Sequence, residues 1–156
     1  MEQKLLRKYV FKFYLNGSHS IVINGNMGEV HPHTWEIILE VVLQRSEFVQ
    51  FSVYEKIVEE FFSRYQNKTL NEVKPFDLII PTLENMVEYF GEELRKLLGS
   101  AGGELAQIEG SETPTRSYVI SYAKDSEYLA GSRRNSEKSI SDILDRMLDS
   151  WESGQE

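Results

Sequence analysis

Along YVFKFYL (9–15) apolar and polar positions alternate, with Phe11, Phe13 and Leu15 on one side and Val10, Lys12 and Tyr14 on the other. A period of two predicts a strand. TWEIILEVVLQ (34–44) is β-branched and apolar, with Glu36 and Glu40 four apart. It reads as a long strand with one partly wet face, although its period also admits a helix. SVYEKIVEEFFSRY (52–65) changes to a 3.6-residue repeat through Val53, Ile57, Val58, Phe61 and Phe62, and Ser52 with Glu55 reads as a capping box. NEVKPFDLIIPT is a loop punctuated by prolines. TLENMVEYFGEELRKLL (82–98) predicts a second helix entered through Thr82, stopped by GSAGG, and carrying Arg95 and Lys96 near its end. ELAQIEG (104–110) and RSYVISYA (116–123) return to strand character. The order β-β-α-α-β-β predicts an α+β domain: an antiparallel sheet with both helices on one face.

Beyond residue 123 the pattern breaks. KDSEYLAGSRRNSEK (124–138) is polar and reads as a linker. SISDILDRMLDSW (139–151) then places Ile140, Ile143, Leu144, Met147, Leu148 and Trp151 on one stripe, with Ser139 and Asp142 as its start signal. This predicts an additional C-terminal amphipathic helix. Its Asp-rich polar face disfavours an anionic membrane. Packing on its own domain or a neighbouring subunit is expected, and docking a separate protein partner is the alternative.

Composition narrows the function classes. A chain of 156 residues, 40% hydrophobic and 27% charged, suits one globular domain with an appendage. With no cysteine, disulfide and thiolate chemistry are excluded. A net charge of −8 disfavours a nucleic-acid surface. The N-terminal residues alternate charged and apolar, unlike a signal peptide, and no apolar run reaches membrane-spanning length. A cytoplasmic location is the expectation.

All three histidines fall within fifteen residues: His19, and His31 with His33 in GEVHPHTWEI. Residues two apart on a strand face the same way, so His31 and His33 can aim at one point. His19, just beyond the preceding strand, reaches that point if the first two strands pair. Three neutral imidazoles and no cysteine describe a zinc site with one open position. The plain alternative is two surface histidines at a strand start and an unrelated third in a loop.

Five segments in order, LNGSHSI, HPHTWEIILEV, YQNKTLNEV, IPTLENMVEY and ETPTRSYVI, resemble the 6-pyruvoyl-tetrahydropterin synthase and 6-carboxytetrahydropterin synthase family over about residues 9–123. The resemblance implies the tunnelling fold, with sheets joined side by side into trimers that commonly stack as hexamers. It places His19, His31 and His33 on the zinc ligands and Glu112 on the carboxylate that anchors a pterin. A carboxylate accepts two hydrogen bonds from the N–H edge of such a ring. Thr82 and Glu84 fall at positions lining the pterin pocket, although an N-cap and a first-turn charge explain them equally well.

The departures from the family pattern concern proton transfer. The family's cysteine position is Met27, and its Asp-His pair falls on Gln66 and Asn67. A thioether has no proton to give, and carboxamides do not titrate near neutral pH. Pro32 replaces the glycine between the paired histidines. A branch of the family uses glutamate instead of the cysteine in an aldolase-like cleavage. Glu29 is the candidate here, but it is one residue out of register and lacks a partner, so a solvated loop glutamate is the competing reading. Three functions follow: a zinc and pterin binder with lyase activity lost or altered, an active lyase or aldolase-like enzyme with a rebuilt proton-transfer set, and a non-catalytic assembly protein. The last needs neither a zinc site nor a pterin anchor.

Overall fold

The structure, a computed structural model, describes residues 7–43, 50–122 and 145–147. The chain divides into two units, Met1–Ser121 and Tyr122–Glu156. In the second, residues 145–147 are helical. The linker 124–138 and the remainder of the anticipated helix 139–151 lie outside the described residues.

The first unit is α+β. Strand β1 (Tyr9–His19) pairs antiparallel with β4 (His31–Leu43), which pairs with β6 (Gly103–Thr113), and β6 pairs with β7 (Arg116–Ser121). The β4 run is thus a strand throughout. Two short hydrogen-bonded pieces escape any periodic reading. A small hairpin joins β2 (Val22–Ile23) to β3 (Asn26–Met27), and β5 (Lys68–Thr69) adds a parallel fifth strand beside β1. The hairpin turns through Asn24 and Gly25, both at positive φ, as a two-residue Asn-Gly turn requires.

The alternation places Phe11 and Leu15 of β1 and Trp35, Ile37, Leu39 and Val41 of β4 on the buried face. Helices α1 (Phe51–Phe62) and α2 (Leu83–Ser100) cover that face, with Tyr54 and Phe62 against Phe11 and Phe13, and Val87 against the backbone of Gly110 beside Ile37. A bulge at Ala106 brings both Leu105 and Ala106 inside, where strict alternation would bury only one. Phe61, Phe62, Tyr65, Phe76 and Phe90 form an aromatic cluster of edge-to-face and tilted contacts between the helices and the 70–80 loop.

Three local expectations are corrected. Helix α1 begins at Phe51 after Gln50, with no side-chain cap, so Ser52 and Glu55 are not a capping box. Phe51 packs edge-on against Tyr9 and Phe11, which draws the helix start upstream and turns Tyr54, rather than Val53, inward. Helix α2 runs to Ser100, so Arg95 and Lys96 lie short of its last turn. Thr82 is the N-cap of α2, its hydroxyl accepting the Asn85 N–H.

Candidate metal and ligand site

Strand β1 extends to His19 itself, and His19 stands directly opposite His31 in the β1–β4 register. His33 follows on the same face, so the pleat brings all three imidazoles together without help from a loop. Their ring centroids are 4.6, 5.0 and 4.8 Å apart, and their ligand nitrogens lie within 4.8 Å of one another. His19 is buried; His31 and His33 are half-buried.

Backbone carbonyls fix two of the rings. The Nδ1–H of His19 donates to Pro81 O at 2.7 Å, and that of His31 donates to Glu29 O at 3.0 Å. Since a carbonyl can only accept, Nδ1 carries the proton and Nε2 presents a lone pair in each neutral ring. His19 Nε2 is fully buried and has no hydrogen-bond partner. Burial pushes the His19 pKa below its ordinary value, against the Pro81 carbonyl and the Glu112 carboxylate. A neutral, oriented imidazole with an unsatisfied buried lone pair is what a metal ligand requires, and the three-nitrogen donor set suits zinc.

Trp35, two residues beyond His33, continues the same face. Its ring centroid lies 5.0 Å from that of His19 and 5.3 Å from that of His33, and its indole Nε1–H donates to Glu112 Oε1 at 3.2 Å. Sequence reasoning missed this residue, although its place in His-x-His-x-Trp on a strand was the available signal. Gly17 permits the packing, since a Cβ there would meet Lys68 O at 3.0 Å and the Trp35 ring at 3.3 Å.

Glu112 lies on β6 itself rather than in the turn after it, and its Oε1 is 3.7 Å from His19 Nε2. A cleft of about 320 Å³ brings together His19, Thr82, Glu84 and Glu112 with Arg116, Ser117 and Tyr118 of β7. Four residues singled out from sequence therefore share one hollow. Tyr118 donates to Glu88 at 3.0 Å, tying β7 to α2 along the cleft wall.

The remaining positions lie elsewhere. Met27 is exposed on β3, its sulfur accepting from Ser20 Oγ at 3.4 Å. Glu29 is exposed, and its carbonyl holds His31. Gln66 is committed to the backbone: its Oε1 accepts the Asn16 N–H at 3.0 Å and its Nε2 donates to Tyr14 O at 2.9 Å. Asn67, at φ 58°, donates its N–H to Asn16 O. Strand β5 then pairs with Gly17 and Ser18, and the Asn71 amide both accepts from and donates to the Ser20 backbone. Residues 66–71 thus form a continuous bracket along β1 that ends beside His19.

The fold and this site together define an α+β protein with a histidine triad able to hold a metal, next to an acid-lined cleft. The family model of 6-pyruvoyl tetrahydropterin synthase matches residues 8–123, and the chain belongs to that family. Among solved structures, 6-pyruvoyl tetrahydropterin synthase of Caenorhabditis elegans superposes with a TM-score of 0.63 at 13% identity, covering 78% of this chain and 99% of that one. A catalytic-residue mutant of the Plasmodium vivax synthase, with a glutamate replaced by alanine, gives 0.57 at 12% identity, covering 75% and 98%. An uncharacterized protein of Wolinella succinogenes gives 0.58 at 14% identity, covering 76% and 99%. At these identities the likeness is one of fold, the tunnelling fold anticipated from sequence. A comparison with curated proteins found no match.

Proposed function

We propose that the protein binds a reduced pterin, or a closely related ring, at a zinc ion held by His19, His31 and His33, and that the family's lyase turnover is lost or strongly reduced. The observation carrying this reading is that His19, one corner of the triad, shares a cleft with Glu112, Thr82 and Glu84, while the proton-transfer positions hold Met27, Gln66 and Asn67. Zinc supplies Lewis acidity toward hydroxyl groups on the ligand's side chain. Glu112 accepts hydrogen bonds from the ring's N–H edge, with Trp35 steadying its other contact. Thr82 and Glu84 line the wall at the start of α2. Turnover also needs a group to carry protons; the Gln66 side chain is committed to the β1 backbone, and neither carboxamide of the Gln66–Asn67 pair titrates near neutral pH.

The proposed assembly is a trimer or hexamer in the cytoplasm. With the bracket covering the chain from Tyr14 of β1 to Ser20 just after it, residues 9–13 of β1 and the outer side of β7 remain as edges for a second copy to pair. No helix among the described residues is long and apolar enough to cross a membrane.

The test is binding of 7,8-dihydroneopterin at saturating zinc, by calorimetry, to the wild type and to Glu112→Ala. Binding that disappears in Glu112→Ala with zinc retained supports the reading; no binding by the wild type refutes it. Rapid conversion of dihydroneopterin triphosphate to a 6-pyruvoyl or 6-carboxy product refutes the loss of turnover. A second reading makes Glu29 the base of an aldolase-like cleavage. A glutamate named as catalytic in the Plasmodium vivax synthase favours it, as does the anchoring of the Glu29 carbonyl at the triad. Release of 6-hydroxymethyl-dihydropterin, lost in Glu29→Gln, is its signature.

A further inference from the structure

The chain contains the dipeptide Asn-Gly at Asn16-Gly17 and again at Asn24-Gly25, and the fold treats the two oppositely. Glycine leaves the nitrogen after an asparagine unshielded and free to rotate toward the side-chain amide. Both asparagines are exposed, so exposure does not separate them. Bonding does. Asn16 lies within β1, where its N–H donates to Gln66 Oε1 at 3.0 Å, its carbonyl accepts the Asn67 N–H at 2.6 Å, and its Oδ1 accepts the Thr34 hydroxyl at 2.7 Å. Gly17 after it is paired with His33 on one side and Lys68 on the other. Asn24-Gly25 forms the tip of the β2–β3 hairpin, held by the pairs Val22–Met27 and Ile23–Asn26, all four of them exposed. Among the described residues neither the Asn24 carboxamide nor the Gly25 N–H has a hydrogen-bond partner. A Cβ at Gly25 would meet no atom within 4 Å, so nothing covers that peptide nitrogen. Asn24 also sits at φ 51°, a left-handed conformation held at a cost. So small a ribbon opens locally, whereas β1 parts only when the sheet does.

We propose that Asn24 is a site of spontaneous deamidation in the folded protein, and that Asn16, in the same dipeptide, is protected by the sheet. The Gly25 nitrogen attacks Asn24 Cγ, and a C–N bond forms as the bond from Cγ to the amide nitrogen breaks. Ammonia leaves, taking the proton that the peptide nitrogen gives up. Water then opens the cyclic imide. Cleavage at Cγ yields aspartate, and cleavage at the main-chain carbonyl yields isoaspartate, with the chain rerouted through the side chain. Either product adds a negative charge. Isoaspartate also adds a backbone atom to a turn whose length sets the hairpin register. That turn lies in the connection between His19 and His31, so the lengthening falls between two members of the triad. The proposal is independent of the metal and pterin readings.

The test ages the full-length wild type at physiological temperature in mildly alkaline buffer, folded and in concentrated urea, and follows both asparagines by peptide mass spectrometry with the acid isomers separated. In urea both sites should convert at similar rates, since the sheet no longer protects either. In the folded protein Asn24 should convert at least about tenfold faster than Asn16, because only the hairpin opens readily. Isoaspartate should exceed aspartate among the products. Asn24→Gly, which suits the turn, should abolish the acidic form that accumulates in the aged wild type on native charge separation. Conversion of Asn24 no faster than Asn16 in the folded protein overturns the proposal. So does an Asn24 that survives ageing in the folded protein while converting in urea.

Discussion

The last third of β1 borders two regions that the family resemblance treats alike and the structure treats differently. On its inner side stand His19, His31 and His33, with lone pairs turned toward one another and, for His19, left unsatisfied in the interior. Along its outer edge runs the 66–71 bracket, in which the Gln66 side chain and the Asn67 backbone N–H bond the β1 backbone and the Asn71 side chain bonds Ser20 just beyond it. The first region carries unmet bonding capacity. The second has spent its capacity on the fold. Residual polar valence, rather than motif position, is what separates a binding element from a structural one here.

Substitutions can break this contrast. His19→Ala, His31→Ala and His33→Ala should each take the metal content of purified protein from one per chain to near zero by mass spectrometry, while Gln66→Ala should leave it unchanged. Metal retained by all three histidine variants would erase the distinction. Trp35→Ala should lower unfolding stability by about 3–5 kcal/mol in urea titrations, because a fully buried ring is lost.

Restoring the family pair at Gln66 and Asn67 sharpens the contrast. In Gln66→Asp with Asn67→His, the aspartate cannot donate to Tyr14 O, and histidine must occupy the left-handed backbone at Asn67. A cost of about 1–3 kcal/mol is expected, read as a lowered Tm, with no gain in turnover. Recovered lyase activity at wild-type stability would show that the bracket is dispensable. The smallest effect belongs to Pro32→Gly. Pro32 is exposed beside the triad, opposite Ser18, and the change should leave metal content intact and alter stability by at most about 1 kcal/mol.

Much of the triad was legible because its construction is periodic. His31 and His33 share a strand face by alternation, and His19 joined them on the condition that the strands read at 9–15 and 34–44 pair; the structure meets that condition by extending both strands to the histidines. The bracket left no such trace: carboxamide side chains pairing with backbone have no repeat, and β5 is only two residues long. The start of α1 was misplaced because Phe51 is drawn in by Tyr9 and Phe11, partners 42 and 40 residues away in sequence. The approach of Glu112 to His19 was hidden for the same reason. It depends on the β4–β6 register, which the bulge at Ala106 resets.

The placement of Trp35 gives the molecule an optical channel. Only one other tryptophan, Trp151, occurs in the chain, so a Trp151→Phe background leaves a single emitter. That indole is wholly shielded from water, meets two imidazoles edge-on or tilted, and donates its proton to Glu112. Blue-shifted emission is the natural state of such a ring, and a paramagnetic ion among the histidines would extinguish it through direct contact. Movement of Glu112 would free the indole N–H and change the colour instead. Brightness and wavelength therefore report separate events at one site, without any dye attached.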